Sequence, residues 1–134
     1  MRTGRILFMT GKVFNEICDK EEEEEALPPG KELASQLRGD LEQFVEESSL
    51  VHQRNFYGWE FTLCLNKRSY LVVFQIGSDN TISISQIGLL NFWFGLKSRK
   101  DSMDELCKQI ETSASSRWEL SNMWWEDAFF EFSL

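Results

Sequence analysis

The sequence has few of the residues that build metal sites and covalent active sites. Its 134 residues include one histidine, His52, and three cysteines, Cys18, Cys64 and Cys107, with no CxxC pair. Transition metals are usually held by clusters of His and Cys, so we expect no metal site. No G-x-G-x-x-G, P-loop or G-x-S-x-G string occurs, which leaves no motif for a nucleotide cofactor or a serine nucleophile. We therefore expect no cofactor.

Long apolar runs are also missing. No stretch approaches the roughly 20 apolar residues that cross a bilayer as a helix. The run Ile6–Met9 is too short for the apolar region of a signal peptide. Cys64 and Cys107 fall within strand and helix patterns, where cysteine acts as a small core residue. These features predict a cytoplasmic protein that does not enter a membrane.

Positive charge is scarce, since the formal net charge is -8. Residues 21–50 carry ten acidic and two basic side chains, and residues 51–100 carry six basic and two acidic ones. An acidic chain repels nucleic acid and anionic membranes at long range and attracts basic proteins. Lys97, Arg99 and Lys100 follow the aromatic run 92–94, but we interpret them as a solvated turn beside core rings. We expect no nucleic-acid partner.

Apolar residues alternate with polar ones from Trp59 to Ile84, with breaks at residues 66–69 and 77–80. A period of two places side chains of like parity on one face of a strand. The stretch therefore predicts a three-stranded antiparallel meander with one face in the core.

Helical spacing flanks the meander. The apolar positions of Lys31–Glu47 lie on one stripe. Gly39 weakens the middle of this helix, and a close backbone approach there would explain its presence. Ser102 and Glu105 form a capping box for a helix that ends near Ser115. Short strands are expected at 118–124 and 130–134, whereas residues 1–20 are ambiguous.

The resulting fold is a single α+β domain over residues 1–134. It has an antiparallel sheet of four or five strands with two main amphipathic helices packed on it. The acidic run Glu21–Glu25 and the Pro28-Pro29-Gly30 break predict an exposed loop or linker at 19–30.

The most suggestive surface residues are Trp124, Trp125, Glu126 and Asp127. Two adjacent tryptophans of one strand cannot both face the core, so one ring is expected to be exposed beside the acids. Tryptophan next to carboxylates suits an interface with a basic protein. The acids of residues 40–47, notably Glu46 and Glu47, are expected to steer the same partner. We therefore predict a partner-binding role for Trp124, Trp125, Glu126, Asp127, Glu46 and Glu47.

Two enzymatic alternatives remain open at this point. His52 could activate one of the cysteines as a nucleophile. The adjacent acids Glu46–Glu47 or Glu126–Asp127 could perform acid–base chemistry if their environments split their pKa values. Nothing in the sequence indicates such an environment, and we expect no enzyme.

Two groups of bacterial proteins are similar to this chain in element order over residues 31–134, in acidity and in the string Tyr57-Gly58-Trp59-Glu60-Phe61. The chain resembles the small acidic immunity proteins that neutralise polymorphic or contact-dependent toxins. It is also similar to the secretion-chaperone fold, although it lacks the C-terminal helix of that fold. The first resemblance implies a non-enzymatic inhibitor that occludes a basic toxin domain, and the second a homodimeric binding protein. The chain is accordingly expected to be a monomer or a homodimer.

Overall fold

A computed structural model describes residues 2–12, 14, 28–54, 58–77, 79–87 and 96–130. Within these residues the chain forms seven strands and two helices. The strands are β1 (Arg2–Thr10), β2 (Glu47–Ser48), β3 (His52–Arg54), β4 (Gly58–Leu65), β5 (Arg68–Gln75), β6 (Asn80–Ile87) and β7 (Asn122–Phe130). The helices are α1 (Lys31–Leu41) and α2 (Leu96–Arg117). The α+β class is confirmed, but the sheet is larger than the predicted four or five strands.

All seven strands belong to one antiparallel sheet in the order β2-β4-β5-β6-β1-β7, and β3 pairs with β4 beside β2. The predicted meander is confirmed as β4, β5 and β6. Its first turn consists of Asn66 and Lys67, whose φ angles of 53° and 63° are both positive. Two consecutive positive φ values match the twist of a tight two-residue hairpin.

The extra strands come from segments whose sequence carries little periodicity. β1 comes from the ambiguous residues 1–20 and is inserted between β6 and β7, with Leu7 opposite both Ile82 and Trp125. β2 and β3 have two and three residues, which is too short for a period to be read. The strand predicted at 118–124 is shifted along the chain, because β7 spans Asn122–Phe130, and the strand predicted at 130–134 lies outside the described residues except for Phe130. Residues 131–134 lie outside the described part.

Both helices have boundaries that differ from the prediction. α1 ends at Leu41 rather than at Glu47, because the chain turns so that the Glu46 N–H can donate to the Cys64 carbonyl of β4 at 2.8 Å. α2 begins six residues before Ser102, so the predicted capping box is wrong. The Ser102 hydroxyl is buried instead and accepts a hydrogen bond of 2.9 Å from the Asn66 amide.

The side chains of like parity on the central strands meet the two helices, and this side of the sheet is called the helix face. Trp118, just after α2, packs edge-on against Phe74 of β5 at a centroid distance of 5.7 Å. The completely buried members of this core include Leu7, Leu37, Phe61, Tyr70, Val72, Ile82, Ile84, Leu106 and Ile110. The opposite side, called the second face, carries Ile6, Phe8, Thr62, Leu71, Val73, Ser83, Ser85, Trp124 and Glu126.

A charged clamp joins the two helices. Arg117 of α2 donates through Nη2 and Nε to the two carboxylate oxygens of Asp40 in α1, at 2.6 and 2.5 Å, and Ser113 donates to the same carboxylate. The hydrogen bond from Arg117, opposed by partial burial and assisted by Ser113, lowers the pKa of Asp40. A Cβ added to the neighbouring Gly39 would have no atom within 4 Å of it, so the predicted close approach is wrong.

Neither described helix combines the length and the apolar character needed to cross a membrane. Of the predicted loop at 19–30, residues 28–30 are described and the remainder lie outside the described residues. Gly30 has a φ of 110° and stands directly before α1. The Trp59 indole N–H donates to the Pro28 carbonyl at 2.8 Å, which fixes the start of this helix against β4.

Candidate partner-binding surface

The strand β7 forms one edge of the sheet within the described residues. Its nine residues pair along their whole length with β1, from Arg2 opposite Phe130 to Thr10 opposite Asn122. Nine residues of strand span roughly 30 Å. On its other side β7 has no strand partner among the described residues. The edge therefore presents a long row of backbone N–H and C=O groups.

An aromatic pair lies on the second face at this edge. Trp124 is directly opposite Phe8 of β1, and their rings stack with centroids 5.2 Å apart and planes 7° from parallel. Trp124 is 42% exposed, which is a large fraction for an apolar side chain, whereas Phe8 is half-buried. The pair forms a flat aromatic surface, called the aromatic platform (Phe8 and Trp124). A rigid ring exposed in this way offers a partner much contact area at a small cost in conformational entropy.

The neighbouring ring, Trp125, lies on the helix face. It packs against the core together with Met123 and is half-buried. Its indole Nε1 is buried and has no hydrogen-bond acceptor among the described residues. The two adjacent tryptophans therefore face opposite sides of the sheet, and the exposed one is Trp124, as the alternation of a strand requires.

The acids beside the rings are also divided between the two faces. Glu126 is opposite Ile6 on the second face and is exposed. The Asp127 side chain, 88% exposed, is on the helix face, with an oxygen 3.7 Å from the Nε of Arg5. Arg5 also forms an ion pair with Asp104 of α2. Two acids therefore share one arginine on one face, while Glu126 has no basic partner among the described residues.

Glu46 and Glu47 lie at the opposite edge of the sheet. Four strands separate β2 from β7, so the two predicted groups are about 24 Å apart at the usual strand spacing. Both oxygens of Glu46 accept the Lys67 N–H at 3.3 Å, and one of them also accepts the Cys64 thiol at 3.5 Å. Glu46 is thus a support of the β4–β5 hairpin. The structure does not bring Glu46 and Glu47 together with residues 124–127.

This opposite edge is interrupted and its backbone groups are engaged. Between β2 and β3, Ser49 bonds to Thr62 of β4 twice, through its own N–H and through its hydroxyl, both at 2.8 Å. Arg38 of α1 donates to the Ser49 carbonyl at 2.6 Å, and the Leu50 carbonyl accepts from Ser49 Oγ and lies 3.2 Å from His52 Nδ1. Leu50, 75% exposed, is the apolar side chain at this edge.

His52 belongs to an ionic cluster on the second face of β3 and β4. Its Nε2 is 3.3 Å from one oxygen of Glu60, and Arg54 donates to the other oxygen at 2.7 Å. Both ring nitrogens of His52 therefore lie close to oxygen atoms, Nδ1 near the Leu50 carbonyl and Nε2 near the Glu60 carboxylate. The His52 ring is mostly exposed, and Glu60 is half-buried between His52 and Arg54.

The described cysteines are poorly placed to act with His52. Cys64 is four residues from Glu60 on β4, about 13 Å away along the strand. Burial raises the pKa of the Cys64 thiol and the hydrogen-bonded Glu46 carboxylate raises it further. Burial likewise raises the pKa of Cys107 to about 11, against the opposing effect of Arg5. The thiolate is the nucleophile, so both thiols are in their unreactive form near neutral pH.

The two adjacent acids of β7 lie on different sides of the sheet. Glu126 is on the second face and Asp127 on the helix face, so the two carboxylates do not form a close pair. No group of three His, Cys, Asp or Glu side chains in the described part of the chain is arranged to hold a metal ion. A shallow depression of about 510 Å³ next to Cys64, between β2 and β5, is lined by mixed polar and apolar groups.

Phe8 is the residue of this surface that the sequence did not reveal. The signal for it was present, because in a strand over Ile6–Met9 the residues Leu7 and Met9 would share one face and Phe8 the other. The neighbour of β1 was not readable, however, since Phe8 and Trp124 are more than a hundred residues apart.

No protein-family model matches this chain, and a search of curated proteins found no match.

Proposed function

We propose that this protein is a non-enzymatic protein-binding module and that it docks a basic protein partner on the β7 edge. The observation that carries the proposal is the aromatic platform, in which Trp124 is 42% exposed at the end of a stack and adjoins Glu126. Interface hot spots are enriched in tryptophan surrounded by polar residues. A net charge of -8 accelerates the approach of a cationic partner.

The specific form of the proposal is an immunity-type inhibitor that covers a basic toxin domain in the cytoplasm. Its support is the resemblance in element order and acidity, together with the surface chemistry of β7. The described cysteines, Cys64 and Cys107, are free thiols, which suits a reducing compartment. Glu46 and Glu47 act in this proposal at long range only, since they lie at the far edge of the sheet.

An enzyme that uses His52 is the less favoured alternative. The Glu60 carboxylate already pairs with Arg54, both ring nitrogens face acceptors, and Cys64 lies far along β4. A homodimer of the secretion-chaperone kind would require β7 or another surface to accept a second copy. If the copies paired through β7, both would bring Glu126 and Asp127 to the same edge, where like charges repel.

Photo-crosslinking in cells that make the protein tests the proposal. A photoreactive phenylalanine derivative replaces Trp124 in one variant and Ser35, an exposed residue of α1, in the control. We expect one partner to be trapped at position 124 and not at position 35. The trapped protein should be basic, and its purified complex should associate more slowly as salt rises.

The immunity-type form of the proposal also predicts that the partner is toxic. The partner should arrest growth when produced alone and be harmless when this protein is produced with it. If position 124 traps nothing, or only what position 35 traps, the proposed surface is wrong. If the partner binds but is not toxic, the binding role stands and the immunity form fails.

A further inference from the structure

We propose, on the basis of the proposed function, that the partner adds an extended basic segment to β7 as a further strand of the sheet. This inference concerns how the partner is held, and it names the chemistry of the segment that binds. It depends on the backbone of β7 as well as on its side chains.

The first support is the state of the β7 backbone. An edge strand of nine residues has every second residue directed away from its neighbour, with both N–H and C=O unpaired by the sheet. Among the described contacts beyond β1, only the Met123 N–H is engaged, by the Asn122 side chain at 2.9 Å. At the β2–β3 edge, by contrast, α1 and the edge residues themselves bond the carbonyls of Ser49 and Leu50.

The second support is the order of side chains along β7. Trp124 and Glu126 are on the second face, and Trp125 and Asp127 are on the helix face. On each face of the sheet, a strand added beside β7 would therefore pass one tryptophan and then one acid. Cross-strand pairs of opposite charge stabilise a sheet. The complementary segment carries two consecutive Lys or Arg residues next to apolar residues.

The charge of β7 also identifies which occupant is expected. A second copy of this chain would place a second Glu126 and Asp127 within a few residues of the first pair. Each chain has a net charge of -8, so approach of two copies is opposed at long range as well. A basic segment of another protein is attracted both at long range, by the net charge of the chain, and in contact, by Glu126 and Asp127.

The test begins with a displayed library of random twelve-residue peptides, selected on the full chain. Parallel selections use Trp124→Ala and the double variant Glu126→Gln/Asp127→Asn. We expect enriched peptides to carry adjacent basic residues beside apolar ones. They should bind the full chain at least tenfold more tightly than either variant.

Backbone pairing is then tested on the enriched peptide. Two versions are synthesised with N-methyl groups on alternate amides, one on odd and one on even positions. Strand addition requires that one version loses at least a hundredfold in affinity while the other binds nearly normally. Amide hydrogen exchange of the complex should slow at every second residue of β7.

The outcomes separate this inference from the proposed function. Peptides that require Trp124 but give no alternating protection would overturn strand addition and leave the binding surface intact. No enrichment over Trp124→Ala would overturn strand addition, and crosslinking at position 124 would still decide the proposed function. If β7 protection instead rises with the concentration of the chain alone, a second copy is the occupant and the basic segment is wrong.

Discussion

At one edge of the sheet β2 and β3 share the length of β4, and at the other β7 runs unbroken for nine residues. The first edge is short, is divided at Ser49–Val51 and has its carbonyls bonded by Arg38 and by Ser49 itself. The second has a continuous backbone, an exposed tryptophan and two acids. Proteins usually protect sheet edges with short strands, bulges and inward-turned charges. Within the described residues, the β2–β3 edge follows that practice more closely than β7 does, and this contrast supports the proposal that a partner docks on β7.

The largest effect is expected from breaking the protected edge at Gly58, where β3 and β4 meet. A Cβ there would be 2.2 Å from the Phe74 carbonyl oxygen of β5. This carbonyl belongs to the backbone of the sheet and cannot move aside without disturbing the strand pairing. Gly58→Ala should therefore lower the free energy of unfolding by about 3 kcal/mol or more. Chemical denaturation measures the change.

Gly39→Ala is the matched control for this substitution. Gly39 is within α1 and has no atom within 4 Å of its added Cβ. Gly39→Ala should raise the free energy of unfolding by roughly 0.5–1 kcal/mol, because alanine favours the helix more than glycine does. Equal effects of the two substitutions would mean that the close approach at Gly58 is not what holds this edge.

The next largest effect is expected on partner affinity, and it is measured by replacing the exposed apolar residue of each edge. Trp124→Ala should weaken partner binding by about 2 kcal/mol, roughly thirtyfold, because it removes the outer ring of the aromatic platform. Leu50→Ala, at the β2–β3 edge, should leave affinity unchanged although Leu50 is more exposed. Calorimetry with the crosslinked partner measures both. A loss of affinity in Leu50→Ala equal to that of Trp124→Ala would remove the distinction between the edges.

A smaller effect concerns the acids of the two edges. Glu126→Gln should slow association about fivefold at low salt and make the rate less sensitive to salt, because it removes charge beside the contact. Glu47→Gln removes the same charge about 24 Å away and should change the rate much less. Stopped-flow measurements at several salt concentrations compare them. Equal slowing by both substitutions would show that only the net charge matters.

The smallest effect lies in the helix layer that supports both edges. The pKa of Asp40 is lower in the folded protein than its ordinary value of 3.8, so the clamp stabilises the fold fully above that value. The contribution is lost as the pH falls through the lowered pKa. Asp40→Asn should therefore lower the Tm by about 2 °C at pH 7.

The pH dependence is the check on this assignment. The difference in Tm between the protein and Asp40→Asn should shrink as the pH is lowered from 6 towards 3. A difference that stays constant over this range would mean that the carboxylate charge contributes nothing to the helix clamp.

The three strands of the meander were readable from the sequence, and the strands that flank them in the sheet were not. The alternation from Trp59 to Ile84 predicted β4, β5 and β6, because a period of two repeated over many residues is a strong signal. β2 and β3 are too short to show any period. The helix α1 was predicted to continue to Glu47, since Phe44 and Val45 lie on its apolar stripe. Both residues do pack against the core, but from a turn.

The surface was predictable in its chemistry and not in its assembly. That one of two adjacent tryptophans must be exposed follows from strand geometry alone. That Phe8 supports Trp124, and that Glu46 and Glu47 lie at the far edge, depends on the pairing of β1 with β7. Such pairing joins distant residues and leaves no local pattern.

The position of β1 between β6 and β7 has a consequence for when the proposed docking edge forms. Arg2 pairs with Phe130, so the two strands that build the edge are separated by almost every other element in the order of synthesis. The meander and both helices can be made and can collapse before β7 emerges, and contacts of such long separation form slowly. A nascent or shortened chain that lacks either strand would not form the β1–β7 pair, so the proposed docking edge would exist only after both strands have been made.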